Sequence, residues 1–263
     1  MRTTDHPAAH GLISTWKSLG LRHIVVSPGS RSAPLVLAAH ALGLQITVAL
    51  DERSAAHVAL GMALHSGVPA CAITTSGTAA LNHGPAIAEA FYMGVPLISV
   101  TADRPAAKRQ MGPGQMVVQT DVFADHAHCS MELDELTMST AELRGAATEA
   151  WIQAQRGPVH VNIPFDEPLY GMLELGDKEL ENLSSTDVST VVSNEMEPTS
   201  MPDELVDMLS CHDPKVLVLL GAIPEFLRAT QAFEALRDRA AVFADAFGLI
   251  LGANAEPSAS SML

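Results

Sequence analysis

Short β-branched runs alternate with longer helix-forming runs from residue 23 to residue 163, and this alternation constrains the fold more than any other feature. "HIVVS" (23–27) reads as a strand and 32–42 as a helix. "ITVAL" (46–50) and "ACAITTS" (70–76) read as strands, followed by helices over 53–66 and 78–93. "PLISVT" (96–101) is a strand, and after a loop-rich section come a helix near 140–155 and a strand "PVHVNI" (158–163). The strands read as continuous apolar runs, the pattern of a parallel sheet buried on both faces with helices as crossovers. Right-handed, short connections then predict a doubly wound α/β domain.

Composition bounds the rest. The chain has 263 residues, of which 48% are hydrophobic and 17% charged, as expected of a well-cored globular protein with more than one domain. Residues 1–170 form the first domain in this reading. Residues 171–213 include "LSSTDVSTVVSNEMEPTSMP", polar and poor in large apolar side chains, and read as a linker or surface excursion. From 214 to 263, "KVLVLLGAIPEF", a helix near 224–239 and "AVFADAFG" read as the start of a second α/β domain. It has too few elements to close a stable sheet by itself. No internal repeat is visible.

The formal net charge is −15, which argues against nucleic acid and anionic membrane surfaces as partners. Residues 1–170 carry 14 acidic and 10 basic side chains, whereas 171–263 carry 16 and 5, so an anion-binding site is expected in the first part. Cys71, Cys129 and Cys211 are far apart and form no C-x-x-C pair, which argues against a disulfide framework or zinc site and suits a reducing cytoplasm. "HAHC" has two histidines without a matched third ligand and reads as surface histidines. The N-terminus lacks a signal peptide's apolar core. No apolar run reaches the roughly 18–20 residues that a membrane helix needs. The closing "SML" is a weak match to a peroxisomal address, and a chain cut at that point explains it more simply.

Ligands of open parallel sheets bind outside the carboxyl ends of the strands. Four successive strand ends carry small, polar or charged residues: "SPGSRS", "DERSAAH", "TSGTAALN" and "TADRP". Each is commonplace alone; together they point to one composite site. Arg31 stands where a strand turns into a helix, a place that favours anions. Asp51 can cap the following helix, and Glu52 either sits in its first turn for the helix dipole or is buried as an acid and hydrogen-bond partner. Gly77 permits close backbone approach, and the amides of the new helix suit an anion or a polar ring; a tight turn with a threonine cap is the plainer account. A single glycine is not a dinucleotide fingerprint. Arg104 precedes a proline, and Gly112, Pro113 and Gly114 require an irregular loop before Gln115 and Gln119. That loop is either a solvated surface or a holder of an anionic or polyhydroxy substrate.

These segments, followed by "GPVHVNIPFDEPLYG", resemble the N-terminal domain of the 2-succinyl-5-enolpyruvyl-6-hydroxy-3-cyclohexene-1-carboxylate synthases, thiamine-diphosphate enzymes of menaquinone biosynthesis. The resemblance runs in order from Leu12 to about Gly171, and "SPGSRS" with "TADRP" is its most specific part. It implies a pyrimidine-binding domain of an enzyme that decarboxylates 2-oxoglutarate and adds the product to isochorismate in a 1,4 sense. Glu52 matches the glutamate that shares a proton with the cofactor's aminopyrimidine ring and tips it toward the imino form. Gly77 and Thr78 match the turn beside that ring. Ser30, Arg31, Arg104 and Gln115 match positions near substrate carboxylates and hydroxyls, a task suited to arginine's planar fork.

Two departures accompany the resemblance. Pro113-Gly114-Gln115 stands where the family often has Ala-Asn-Gln, so the asparagine is lost at Gly114. The family holds the diphosphate and Mg²⁺ (or Mn²⁺) through a Gly-Asp-Gly motif that this sequence lacks, so no metal ligand is expected in the chain. The resemblance therefore implies a half-site, inactive alone, completed by a diphosphate-binding domain in a homodimer or homotetramer. Another thiamine-diphosphate enzyme, related to acetolactate synthase, and a non-catalytic fragment or binding module are the competing readings. Arg31 and Arg104 suit a dicarboxylate and a ring acid better than pyruvate.

Overall fold

The computed structural model describes residues 2–109 and 116–174, together with the backbone of three short strands in 217–257. The chain divides into two compact units, Met1–Ser193 and Asn194–Leu263.

The first unit is built on a six-stranded, all-parallel sheet in the order β3-β2-β4-β5-β7-β6. Its strands are β2 (His23–Val26), β3 (Gln45–Val48), β4 (Ala70–Thr74), β5 (Leu97–Asp103), β6 (Cys129–Glu132) and β7 (Val159–Pro164). A separate antiparallel pair joins β1 (Arg2–Thr4) to β8 (Met172–Glu174), closing the ends of the described unit on each other. Helices α1 (Pro7–Leu19), α2 (Ala33–Ala41) and α7 (Thr140–Ala154) share one core with the sheet, and α3 (Glu52–Ser66) and α5 (Gly84–Met93) share another. This is the doubly wound α/β architecture that the alternation predicts.

Strand geometry assigns the two faces. Ile24, Val26, Cys71, Ile73, Ile98, Val100, Val161 and Ile163 alternate onto the α1/α2/α7 side, with Trp16 at full burial and its indole N–H donating to the Ala147 carbonyl at 2.7 Å. The opposite face is alanine-rich under α3, where Ala55, Ala56, Ala59 and Ala63 let the helix lie close against Val25, Ala70 and Ala72. Beneath β5, β7 and β6 that same face is polar. Ser99, Thr101, Asp103, His160 and Asn162 are buried there. The expectation of continuous apolar strands fails at this point: "VHVNI" alternates, and its polar half is buried because side chains above it satisfy it.

Local chemistry explains the element boundaries. Asp51 caps α3, its carboxylate accepting the Ser54 N–H at 2.7 Å. The helix expected over 78–93 is two helices, α4 (Thr78–Leu81) and α5, because Pro85 lacks an amide hydrogen and restricts the residue before it. α1, β1, β6 and β8 are additions to the sequence reading; β6 lies inside the segment read as loop around the histidines. A short helix α6 (Ala106–Arg109) follows β5.

Among the described residues, the second unit has three parallel strands in the order β11-β10-β9: β9 (Leu217–Leu220), β10 (Ala241–Ala244) and β11 (Glu256–Pro257). The stretch read as a linker falls largely outside the described residues, as do the helix expected near 224–239 and the Gly112–Gly114 loop with Gln115.

Candidate active site

The connections after β2 and β4 leave in opposite directions, since β2 leads outward to β3 whereas β4 leads on to β5. A switch of this kind opens a crevice at the carboxyl ends of the strands. An open cleft of about 580 Å³ lies there, with Ser30, Arg31, Glu52, Ser76, Thr78 and Arg104 in its lining. Four strand ends thus contribute to one cavity. Gly77 lies behind the lining at the N-cap of α4, and Gln115 is outside the described residues.

Two close approaches shape the floor. A Cβ on Gly29 would lie 2.3 Å from the Thr75 Cβ, so only glycine lets the β2 loop pack on the β4 loop. The Ser27 N–H donates to the Ile73 carbonyl at 3.0 Å and extends the β2–β4 pairing to the rim. Gly29, Thr75 and Asn82 line the cleft without being singled out by the sequence; only the Pro-Gly turn hinted at such packing.

Glu52 is the first residue of α3 and is half-buried at the cleft. Its carboxylate has no hydrogen bond or ion pair among the described residues. Asp51, its neighbour, does the capping, so Glu52 is not needed for that purpose.

Arg31 is more engaged than its sequence position suggests. Its Nη1 donates to the Phe165 carbonyl at 2.9 Å, and Nη2 lies 3.5 Å from Glu167 Oε1. A guanidinium has five N–H donors, so these contacts leave donors for a ligand in the cleft that Arg31 lines. The chain just after Phe165 is itself held by His6, whose Nδ1 is 2.6 Å from Glu135 Oε1 and whose Nε2 is 3.0 Å from the Pro168 carbonyl. Burial lowers the His6 pKa, but the bonds to Glu135 and Pro168 outweigh it and leave the imidazole above its ordinary value. A protonated ring donates to both acceptors.

Arg104 is placed by the polar layer. Its N–H donates to Asp103 Oδ1 at 2.7 Å, and its Nη1 lies 3.4 Å from Ser76 Oγ. Asp103 Oδ2 accepts from Asn162 Nδ2 at 3.0 Å and pairs ionically with Arg109, whose Nε lies 3.0 Å away and donates its hydrogen to the Arg104 carbonyl at 2.9 Å. Glu132 joins through Arg109, Asn162 and Thr120. Burial pushes the Glu132 carboxyl up, but those three donors hold it below the usual range. Thr101 connects the layer downward, donating to Asn162 Oδ1 at 2.8 Å and meeting His160 Nε2 at 2.8 Å.

Gln119 joins these parts. Buried to 1% exposure, it accepts the Gly77 N–H at 2.7 Å and donates to the Ala102 carbonyl and Asn162 Oδ1. The Gly77 amide, at the N-cap of α4, is therefore taken by the protein. Among the described residues no group of three or more His, Cys, Asp or Glu side chains could hold a metal ion. The described cleft does not fit Mg²⁺ or Mn²⁺. It does fit the ring end of an organic cofactor: an unpartnered carboxylate faces a crevice rimmed by hydroxyls.

Comparison with known proteins agrees. The profile described as thiamine pyrophosphate enzyme, N-terminal TPP binding domain, matches residues 7–128. The chain is 38% identical over 221 residues to the 2-succinyl-5-enolpyruvyl-6-hydroxy-3-cyclohexene-1-carboxylate synthase of Flavobacterium johnsoniae, covering 82% of this chain and 38% of that protein. The synthase of the same name from Desulfotalea psychrophila is 47% identical over 159 residues, 58% of this chain and 30% of that protein. The one from Geobacillus kaustophilus is 41% identical over 169 residues, 61% of this chain and 29% of that protein. The chain thus spans well under half the length of the curated relatives it matches. The cleft at the strand switch lies within the matched residues 7–128, and the relatives point the same way: the chain is similar to the N-terminal domain of thiamine pyrophosphate enzymes and to the 2-succinyl-5-enolpyruvyl-6-hydroxy-3-cyclohexene-1-carboxylate synthases.

Proposed function

We propose that this chain supplies the aminopyrimidine-binding half of a thiamine-diphosphate site used to decarboxylate 2-oxoglutarate and join the product to isochorismate in menaquinone biosynthesis. The observation that carries the reading is the Glu52 carboxylate, facing the cleft with no partner among the described residues. Thiamine diphosphate, when bound, stabilises the carbanion that forms as a 2-oxo acid loses carbon dioxide. Glu52 holds a proton against the ring nitrogen and sets its tautomer. Gly77 shapes the turn beside the ring and Thr78 lines the cleft there. Arg31, through donors left over from its protein contacts, and Arg104 bind substrate carboxylates, with the Ser30 hydroxyl beside Arg31 and with Gln115 as a further substrate contact.

No step is assigned to a metal. The metal and the diphosphate belong, in this proposal, to a further domain, contributed by the same protein or by a second subunit of a homo-oligomer working in the cytoplasm. The contacts of Arg31 with Phe165 and Glu167 favour one refinement: this arginine is a strut for the rim as well as a ligand.

The test is Glu52→Gln in the intact protein. The variant keeps the shape and removes the acid. Carbon dioxide release from 2-oxoglutarate in the presence of isochorismate is expected to fall by about 10²–10⁴-fold, the range for loss of a positioned acid or base. Turnover within twofold or so of the unmodified protein would refute the assignment.

A further inference from the structure

Two walls of the cleft hang from one buried side chain. The first is the turn 76–78, whose middle residue Gly77 has φ 90° and ψ −147°, a conformation that glycine alone adopts freely. Such a turn has other conformations within reach, and the 2.7 Å bond from the Gly77 N–H to Gln119 Oε1 fixes it. The second wall is Arg104. Its backbone N–H donates to Asp103, Asp103 accepts from Asn162, and Asn162 Oδ1 accepts from Gln119 Nε2 at 3.0 Å. The other Gln119 amide hydrogen goes to the Ala102 carbonyl at 3.2 Å. Across the cleft rim, Arg104 Nη1 and Ser76 Oγ are 3.4 Å apart, so the walls also meet directly.

We infer that Gln119 is a positioning residue: acting through Gly77 and Asn162, it sets the spacing between Thr78 and Arg104 without touching a ligand itself. The inference rests on the reading of the cleft as a thiamine-diphosphate half-site. A carboxamide suits the task because it offers one acceptor and two donors, and the neighbours require that set. Leucine would leave the Gly77 amide, the Ala102 carbonyl and Asn162 without this partner. Glutamate would keep the acceptor for Gly77 but turn a second oxygen toward two oxygens. The ionisable groups that share this network are Asp103 on β5, Arg104 just after it, Glu132 on β6, His160 on β7 and Arg109 on α6.

The experiment is calorimetric titration of the intact protein with thiamine diphosphate and magnesium chloride, for the unmodified chain, Gln119→Glu and Gln119→Leu, from about pH 8 to about pH 5.5, a span across which a buried carboxyl facing oxygens takes up its proton. Each Kd is divided by that of the unmodified protein at the same pH, and melting temperatures are recorded in parallel. At the alkaline end Gln119→Glu is expected to bind about tenfold to hundredfold more weakly, the loss for a buried group left without its partner. The ratio should narrow toward acid, as the protonated carboxyl regains a donor, whereas Gln119→Leu should stay weak throughout. A purely structural role would lower the melting temperature of Gln119→Glu and leave its Kd ratio at one at every pH; that result overturns the inference. Absence of binding by the unmodified protein would instead overturn the underlying reading of the cleft, and this inference with it.

Discussion

Single residues in this protein are legible to different depths. Glu52, Arg31, Arg104 and Thr78 could be picked from the sequence because each follows a strand, and strand ends are where parallel sheets bind ligands. His83 and His160 could not. Nothing in "LNHGP" or "PVHVN" tells a buried histidine from a surface one, because burial is decided by what packs across the sheet. His83 pairs with Ser99 at 2.8 Å, and His160 bridges Thr101 and Ser130 with Phe123 edge-on 4.9 Å away. Burial pushes both imidazoles down to about 4, with His160 adding to the effect at His83. The sign follows: each histidine favours the fold when neutral, so its stabilisation is complete above the ordinary value of 6.5 and is lost as pH falls from there to about 4. His6 works in the opposite sense, contributing fully below 6.5 and fading as pH rises through its raised folded value. Urea unfolding across that acid range should show stability falling with pH, and His83→Gln with His160→Gln should flatten the slope. An unchanged slope in the double variant would show that these rings do not control acid stability.

At the scale of elements, the order of strands and helices could be read because hydrophobic period and β-branching are local signals. Where the reading slipped, a local rule was outweighed or overlooked. Pro85 splits the 78–93 helix by a rule visible in the sequence. β1 and β8 are three residues each and exist only because they pair with one another across the unit, which no local signal reports. α7 shows the legible extreme. Ser139 and Glu142 form a reciprocal capping box, Ser139 Oγ accepting the Glu142 N–H at 3.3 Å and Glu142 Oε2 accepting the Ser139 N–H at 2.8 Å. Leu143, Ala147, Ala150, Trp151 and Ala154 then face the core from this helix. Ser139→Ala is expected to cost about 1 kcal/mol of stability, read as a lower urea midpoint with an unchanged denaturant slope. A midpoint equal to that of the unmodified protein would show that α7 is held by packing alone.

For the whole molecule, the parallel sheet, its strand switch and the cleft form one chain of causes. Alternating strands and helices require crossovers; crossovers of one hand produce a switch between β2 and β4; the switch opens the cleft; and the residues that end the strands fill its walls. The polar layer under β5 and β7 was hidden from the sequence because it is a long-range network, with Gln119, Asn162, Asp103 and Glu132 drawn from four separate segments. It nevertheless determines how Arg104 and the 76–78 turn are presented. The central claim is that this cleft receives the aminopyrimidine ring at Glu52. The most direct measurement is a crystal structure of the intact protein grown with thiamine diphosphate and magnesium. The account predicts a ring nitrogen within about 3.2 Å of a Glu52 carboxylate oxygen, the outer limit of a good hydrogen bond, with the ring beside the turn at Gly77. Cofactor bound with its ring away from Glu52, or the cleft filled only by solvent while the cofactor sits elsewhere, would contradict it.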